Sequence, residues 1–437
     1  MAELVPHKQR RFALDVVERL REAGFEAYWA GGCVRDHLLG RVPNDYDVAT
    51  SARPEEARRV FQKWKTLEIG AAFGVVAVIG PKEAGTVEIA TFRRDAAYVD
   101  GRHPSSVSYS TPEEDAARRD FTINGLFYDP ISDQVLDFVG GQVDLKRRVV
   151  RAIGSPTERF AEDKLRLLRA VRMAATFGFH LDEATRAAVT EMAHEVTVVS
   201  AERIAQEMRL LLVLEGRRRA VELLRETRLL AASLPEVDQS HQCESAAGAN
   251  RWRSTLKVLE RLDSPNFPLA LAALLHATGV AGENSSAVAA AASNVRAVAR
   301  RWRLSKKEER HAAWLVEHQD DLLDVMTKPW SETQPILISE HARDLVTLFA
   351  AKGAAAGRAM PEVEHCLTLL EWPREALDPP PLITGEDLAV FNLPRGPLFA
   401  EILAKVRSAQ LDGKVEDRAA ALRLTGDLAA NAQQVEE

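Results

Sequence analysis

Asp45 and Asp47 stand two residues apart in a second strand-like run. Residues i and i+2 of a strand point to the same side, so the two carboxylates face one spot. Paired carboxylates are hard oxygen donors, suited to Mg²⁺ and to its phosphate-bound forms. Upstream, Gly31-Gly32 follows the short apolar strand Ala27-Tyr28-Trp29-Ala30 and leads into a segment carrying Arg35 and Asp36. A glycine turn entering a helix offers bare backbone N–H groups to a phosphate. Arg35 is within reach of the same anion, and Asp36 suits a hydrogen bond that steadies the turn. Each half alone is bland: a DxD is mostly a solvated loop or a cap, and a GG is mostly a turn. Strand, glycine pair, Val-Arg-Asp, helix and DxD together within residues 31–47 are far more specific. They imply a nucleoside triphosphate held over a metal.

With these residues the chain resembles the nucleotidyltransferase superfamily that includes DNA polymerase beta. More closely, it resembles the class II tRNA CCA-adding enzyme and bacterial poly(A) polymerase family. Superfamily members often use a third carboxylate from a neighbouring strand. Glu88, alone in the apolar strand Val87-Glu88-Ile89-Ala90, is the candidate, unless it is a solvent residue of an edge strand. A second signature is RRDFTING, residues 118–125, where the family pattern ends in Ala and Gly125 stands here. Arg118, Arg119, Asp120 and Asn124 at a helix start suit sugar hydroxyls and phosphate. Without the resemblance this string is a charged helix cap. Residues 91–107 are polar and hold Gly and Pro; they resemble the family's flexible loop, with Asp100 and Arg102 the residues to watch.

The third signature lies in residues 159–179, read as part of one amphipathic helix over 158–179. Leu167, Leu168, Val171, Ala174 and Ala175 share one face, and Glu162, Asp163, Arg166, Arg169 and Arg172 the other. The family's EDxxR motif falls here, with Asp163 and Arg166 as i,i+3 neighbours. A carboxylate accepts from an exocyclic amine, and a guanidinium donates to a ring nitrogen. Cytosine and adenine both satisfy that pair; uracil and guanine present a carbonyl and an N–H instead. Each unsatisfied group costs about 1–3 kcal/mol, so the protein itself could act as template. Arg169 and Arg172 are then phosphate or backbone contacts. Residues 199–212 resemble the family's ERIxxEL helix and read as structural support, with Glu202 bracing a neighbour. LAALLHATGV, residues 271–280, sits where many relatives carry an HD phosphohydrolase-like motif, but Ala277 replaces its Asp. His276 is therefore expected to be a packed core residue without phosphohydrolase activity.

The elements that must position these groups follow from pattern and composition. The chain has 437 residues, 46% hydrophobic, too long for one core. Residues 8–23 form an amphipathic helix, and 27–140 alternate short strands with helices, including helices over 54–65 and 122–128. From about 158 strand signals stop. The fold class is an α+β N-terminal nucleotidyltransferase head, a small mixed sheet with helices, followed by an all-α neck, body and tail. The boundaries are 1–150 for the head, 151–230 for the neck, 231–378 for the body and 379–437 for the tail. Asp238 to Asn250 is a polar loop, Pro329 and Pro335 mark connections, and Pro379-Pro380-Pro381 is a stiff linker.

A net charge of −7 argues against a protein that coats nucleic acid indiscriminately, but local arginine clusters can still build a positive groove. No apolar run reaches the length of about 18 residues that a membrane helix needs, and the start MAELVPHKQRRF has no signal-like core. Three scattered cysteines suggest neither a disulfide framework nor a zinc cluster, so a reducing cytoplasm is the simplest setting. The resemblance implies Mg²⁺-dependent addition of CMP and AMP to the 3′ end of tRNA, with CTP, ATP and tRNA as partners, and neither DNA nor membrane. An A-adding enzyme or a poly(A) polymerase shares the motifs, although the acidic end QQVEE lacks the basic tail expected of the latter. A catalytically silent RNA-binding scaffold would be expected to have lost Asp45, Asp47 or Arg35. A small-molecule nucleotidyltransferase would need neither the EDxxR segment nor so large a helical remainder.

Overall fold

A computed structural model describes residues 4–68, 74–95, 107–240, 250–279, 286–391 and 396–435. Asp100, Arg102 and most of the polar loop 238–250 lie outside the described residues. The chain divides into two compact units, Met1–Asp238 and Gln239–Glu437.

The first unit opens with helix α1 (Pro6–Glu22), whose Phe12, Ala13, Val16, Val17 and Leu20 are buried at helical spacing. The sheet follows: β1 (Ala27–Ala30), β2 (Asp47–Thr50), β3 (Lys65–Glu68), β4 (Val75–Ile79) and β5 (Thr86–Thr91). Helices α2 (Gly32–Leu38) and α3 (Pro54–Val60) connect the early strands. The helix expected over 54–65 is thus shorter. Trp64 instead stacks on Phe12, and the chain then joins the sheet as β3. A ribbon of β6 (Arg93–Asp95) and β7 (Val107–Tyr109) leads to α4 (Pro112–Ala117), capped by the Thr111 side chain. Strands β8 (Phe127–Asp129) and β9 (Gln134–Leu136) complete a seven-stranded sheet of order β3-β4-β5-β2-β1-β8-β9. Only β2 and β5 run parallel; the other neighbours are antiparallel.

Two local expectations are corrected here. Residues 122–128 are not a helix: a three-residue 3₁₀ turn, Thr122–Asn124, gives way to β8. Phe127 pairs with Ala30 and packs with Ala49, Phe92 and Ala116, burial that no isolated helix at this place could supply. The helix expected over 158–179 is broken into α6 (Pro156–Glu162) and α7 (Leu165–Phe177). Asp163 is extended at the break, and its Oδ1 accepts from Leu165 N at 3.0 Å, capping the second helix. The chain continues through α5 (Gly141–Arg147), which precedes α6, and then α8 (Glu183–Glu191), α9 (Ala201–Leu212) and α10 (Arg217–Glu226). The expectation of a mixed sheet followed by a mostly helical remainder stands, but strands do not stop at 158: His180–Leu181 pairs in parallel with Val149–Val150, so the region expected to be an all-α neck carries one short strand.

The second unit is helical throughout its described residues. Helices Phe267–Leu275, Ala287–Arg301, Lys306–Glu317 and Ala342–Ala356 form its larger part. Pro335 lies inside the helix Trp330–Leu337 rather than in a connection. Beyond the prolines at 379–381, helices Pro397–Leu411 and Arg418–Val435 accompany a small core of Ile383, Leu388, Ile402 and Val406. His276 ends its helix with Nδ1 at 2.8 Å from Ala273 O. Burial and the Lys352 charge push its imidazole down to about 4.

Candidate active site

A polar cavity of about 670 Å³ opens in the first unit, within the usual size range of ligand pockets. Gly31, Gly32, Arg35, Asp45 and Asp47 line one part of it. Gly31 has φ +74, a conformation that favours glycine, and a Cβ there would press on Arg119 Nη1 at 2.8 Å. Arg35 lies over the Phe177 ring at 4.4 Å and donates to Asn124 Oδ1 at 2.6 Å. Its Nε donates to Asp36 Oδ1 at 2.9 Å, which makes Asp36 the partner of the arginine itself.

Asp47 opens β2, but Asp45 lies just before that strand and not within it, where the sequence pattern places both. In the parallel β2–β5 pair Asp47 stands opposite Glu88. Glu88 is exposed, yet β5 is flanked by β2 and β4, so it is not an edge-strand residue. Close packing around Asp47, with the like charges of Asp45 and Glu88, pushes its carboxyl up to about 6, Arg119 pulling the other way. The side chain still reaches solvent, so mutual repulsion is the part a bound cation would relieve. Among the described residues no three His, Cys, Asp or Glu side chains are gathered into a closed metal cage. An open carboxylate pair is what a small hard cation needs when substrate phosphates and water complete its shell. The donor set therefore fits a divalent metal.

Arg118, Arg119, Asp120 and Asn124 line the same cavity. Asp120 is buried and accepts from Arg169 Nε and Nη2 at 2.9 and 2.6 Å, from Asn124 Nδ2 at 3.1 Å and from Phe121 N at 2.8 Å. Burial alone would raise its carboxyl; the Arg169 charge and these hydrogen bonds overcome that and hold it well below the ordinary range. The same pairing raises Arg169, Asp120 being the main cause. Asp120 thus acts on the site through Arg169 and Asn124.

Asp163, Arg166, Arg169 and Arg172 complete the wall. Asp163 Oδ2 pairs with Arg203 Nη2 at 2.7 Å. Arg166 Nη1 donates to Arg159 O at 2.9 Å and to Glu162 Oε2 at 2.5 Å. Arg172 Nε donates to Glu207 Oε2 at 2.6 Å, and Glu207 also faces Arg169 at 3.7 Å. Seven arginines and four aspartates line the cavity, so a chain of net charge −7 carries a net positive site suited to a polyanion.

The sequence reading missed Asp115, Arg203 and Glu207. Arg203 and Glu207 are i,i+4 neighbours on α9, taken as plain support, yet they brace the wall of the site. Asp115 precedes Arg118 and Arg119 by three and four residues, the same helical signal.

Residues 27–151 match the poly A polymerase head domain, and residues 178–240 match a probable RNA- and SrmB-binding site of polymerase A. The chain is 34% identical over 414 residues to the CCA-adding enzyme of Geobacillus kaustophilus (strain HTA426), covering 93% of each. It belongs to the CCA-adding enzyme family. The CCA-adding enzyme of Streptococcus suis (strain 05ZYH33) is 31% identical over 420 residues, 94% of each chain. A crystal structure of the Bacillus stearothermophilus CCA-adding enzyme in complex with CTP matches with a TM-score of 0.76 and 29% identity, over 98% of each chain. The family implies a divalent metal, in keeping with the donor set above. No helix among the described residues is long and apolar enough to cross a membrane.

Proposed function

We propose that this chain adds CMP and AMP to the 3′ end of tRNA, without a nucleic-acid template, and releases pyrophosphate. The observation that carries this reading is the single cavity in which the carboxylate pair, the arginine-rich wall and the Asp163–Arg166 pair meet. The tRNA 3′ hydroxyl attacks the α-phosphorus of CTP or ATP; the bond to the β-phosphate oxygen breaks and pyrophosphate leaves. Mg²⁺ is the metal on this reading, held by Asp45 and Asp47 with Glu88 alongside; when bound it neutralises phosphate charge and lowers the pKa of the attacking hydroxyl. Gly31, Gly32, Arg35, Arg118 and Arg119 hold the triphosphate. Asp120 and Asn124 fix Arg169 and Arg35, and Glu207 fixes Arg172.

Asp163 and Arg166 choose the base. An ionised carboxylate has room for about four hydrogen bonds, so the Arg203 and Leu165 bonds leave Asp163 able to accept from the 4-amino group of cytosine or the 6-amino group of adenine. Arg166 donates to the adjoining ring nitrogen. Uracil and guanine leave both residues mispaired, at about 1–3 kcal/mol for each unsatisfied group. The reading keeps the four-part division into head, neck, body and tail, and a cytoplasmic setting where tRNA, CTP and ATP meet.

The test uses tRNAs ending before CCA, after C and after CC, with Mg²⁺ and each nucleotide alone and mixed. Extension of all three to CCA, followed by a stop, is the expected result. Addition of A alone to the CC-ending tRNA, or unlimited A on any RNA, moves the protein to the A-adding or poly(A) branch. No incorporation at all refutes catalysis.

A further inference from the structure

Two arginines of the nucleotide cavity close on one carboxylate that lies outside it. Asp115, on α4, is 1% exposed. Its Oδ1 accepts from Arg118 Nε at 2.9 Å and pairs with Arg118 Nη2 at 2.7 Å. Its Oδ2 accepts from Arg119 Nε at 3.3 Å and Nη2 at 3.0 Å. Oδ1 also accepts from the backbone N–H of Arg93 at 3.3 Å, which ties the carboxylate to the first residue of β6, just past the strand that carries Glu88. Burial opposes a charged carboxyl here, and the Arg119 and Arg118 charges and hydrogen bonds overcome it, so the group sits below its ordinary range. Adjacent guanidinium groups repel one another, and a shared buried anion lets both be held toward one cavity.

Arg119 marks the phosphate end of that cavity. Its Nη1 lies against the Gly31 turn, and its charge is felt at Asp47. Nothing of Asp115 lines the cavity, and in the function proposed above the base is read by Asp163 and Arg166, not by the arginines that Asp115 holds.

We propose that Asp115 is a positioning residue for the triphosphate: it sets the orientation of Arg118 and Arg119 and so controls nucleotide affinity without touching the nucleotide or choosing its base. This rests on the nucleotide-binding part of the reading above. Loss of Asp115 weakens every triphosphate equally, because the phosphates are common to all of them. A purely structural role would lower the active fraction and leave the affinity of folded molecules unchanged.

The experiment is equilibrium binding of CTP, ATP and inorganic tripolyphosphate to the full chain with Mg²⁺, for wild type, Asp115→Asn, Asp115→Glu, Arg119→Gln and the Asp115→Asn/Arg119→Gln pair. Circular dichroism confirms folding at the binding temperature. Asp115→Asn is expected to raise Kd for all three probes by one common factor, roughly tenfold to a hundredfold, the equivalent of one or two charge-assisted hydrogen bonds. Asp115→Glu, which keeps the charge, recovers part of the loss. In the double variant the effects are less than multiplicative, because Asp115 acts through Arg119. Unchanged Kd in a folded Asp115→Asn protein, weakened CTP with unchanged tripolyphosphate, or fully multiplicative effects would each overturn the proposal. Normal triphosphate binding by a wild type that never extends tRNA would refute the proposed function and leave this test intact.

Discussion

Replacing Asp120 by Asn removes one charge from a largely buried ion pair of the site. The Asn keeps an oxygen for Phe121 N and Asn124 Nδ2 but turns an NH₂ toward the two Arg169 N–H groups, now donor against donor. Removing one partner of a buried pair costs about 3–5 kcal/mol. The Arg169 side chain is 33% exposed and keeps Glu207 at 3.7 Å, so the cost falls to the bottom of that range or just below it, about 2–3 kcal/mol. For a unit of this size each kcal/mol moves the midpoint by about 2–4 °C, which gives a fall of roughly 5–10 °C in the transition of the first unit. Calorimetry of the full chain at pH 7 measures it, with the two units fitted as separate transitions. The pH dependence supplies an internal control. The folded Asp120 carboxyl lies below its ordinary 3.8, so its contribution is complete above that value and is lost as pH falls through the folded pKa. The gap between wild type and variant should therefore be full at pH 7 and shrink on acidification below about 4. A midpoint within 1 °C or so of wild type at pH 7, or a gap that widens in acid, refutes the reasoning.

Two further outcomes follow from the packing. At Gly125 an added Cβ would meet Val139 Cγ2 at 2.7 Å and Ile153 Cδ1 at 3.0 Å, so Gly125→Ala should destabilise by about 1–2 kcal/mol. Urea melts of Gly125→Ala and of Gly125→Ala/Val139→Ala check this; the second change should recover part of the loss, and a more stable single variant would contradict it. His276 has its folded pKa lowered to about 4 from 6.5, so the unfolded chain takes up the proton first as pH falls. Its contribution is full above 6.5, declines through the interval down to about 4 and is then exhausted, a loss of up to about 3 kcal/mol in the second unit. His276→Gln should flatten the stability profile between pH 6.5 and 4, and an unchanged slope there would contradict the assignment.

The local part of the site was legible because it is built from short-range geometry. Gly31-Gly32 after an apolar strand, Asp45 and Asp47 two apart, and Arg118 through Asn124 in one string each declare a function within a few residues. The misreadings arose where tertiary burial overrode local pattern. The charged and apolar faces of 158–179 continue in phase across Asp163, so periodicity saw one helix where the Asp163 side chain stops one and caps the next. At 122–128 the helix-like start yields to a strand because Phe127 finds Ala30 and Phe92 in the sheet.

The sequence by itself determined the donor types, their local spacing and the order of a mixed head before a helical remainder. Those follow from backbone periodicity and side-chain chemistry, which act over a few residues. Only the tertiary structure decided that Glu88 stands beside Asp47 on a central strand, that one buried Asp115 holds two arginines, and that Arg203 and Glu207 from a support helix brace the cavity wall through Asp163 and Arg172. Such pairings join residues far apart in the chain and depend on the whole sheet and helix packing being in register, which no local pattern encodes.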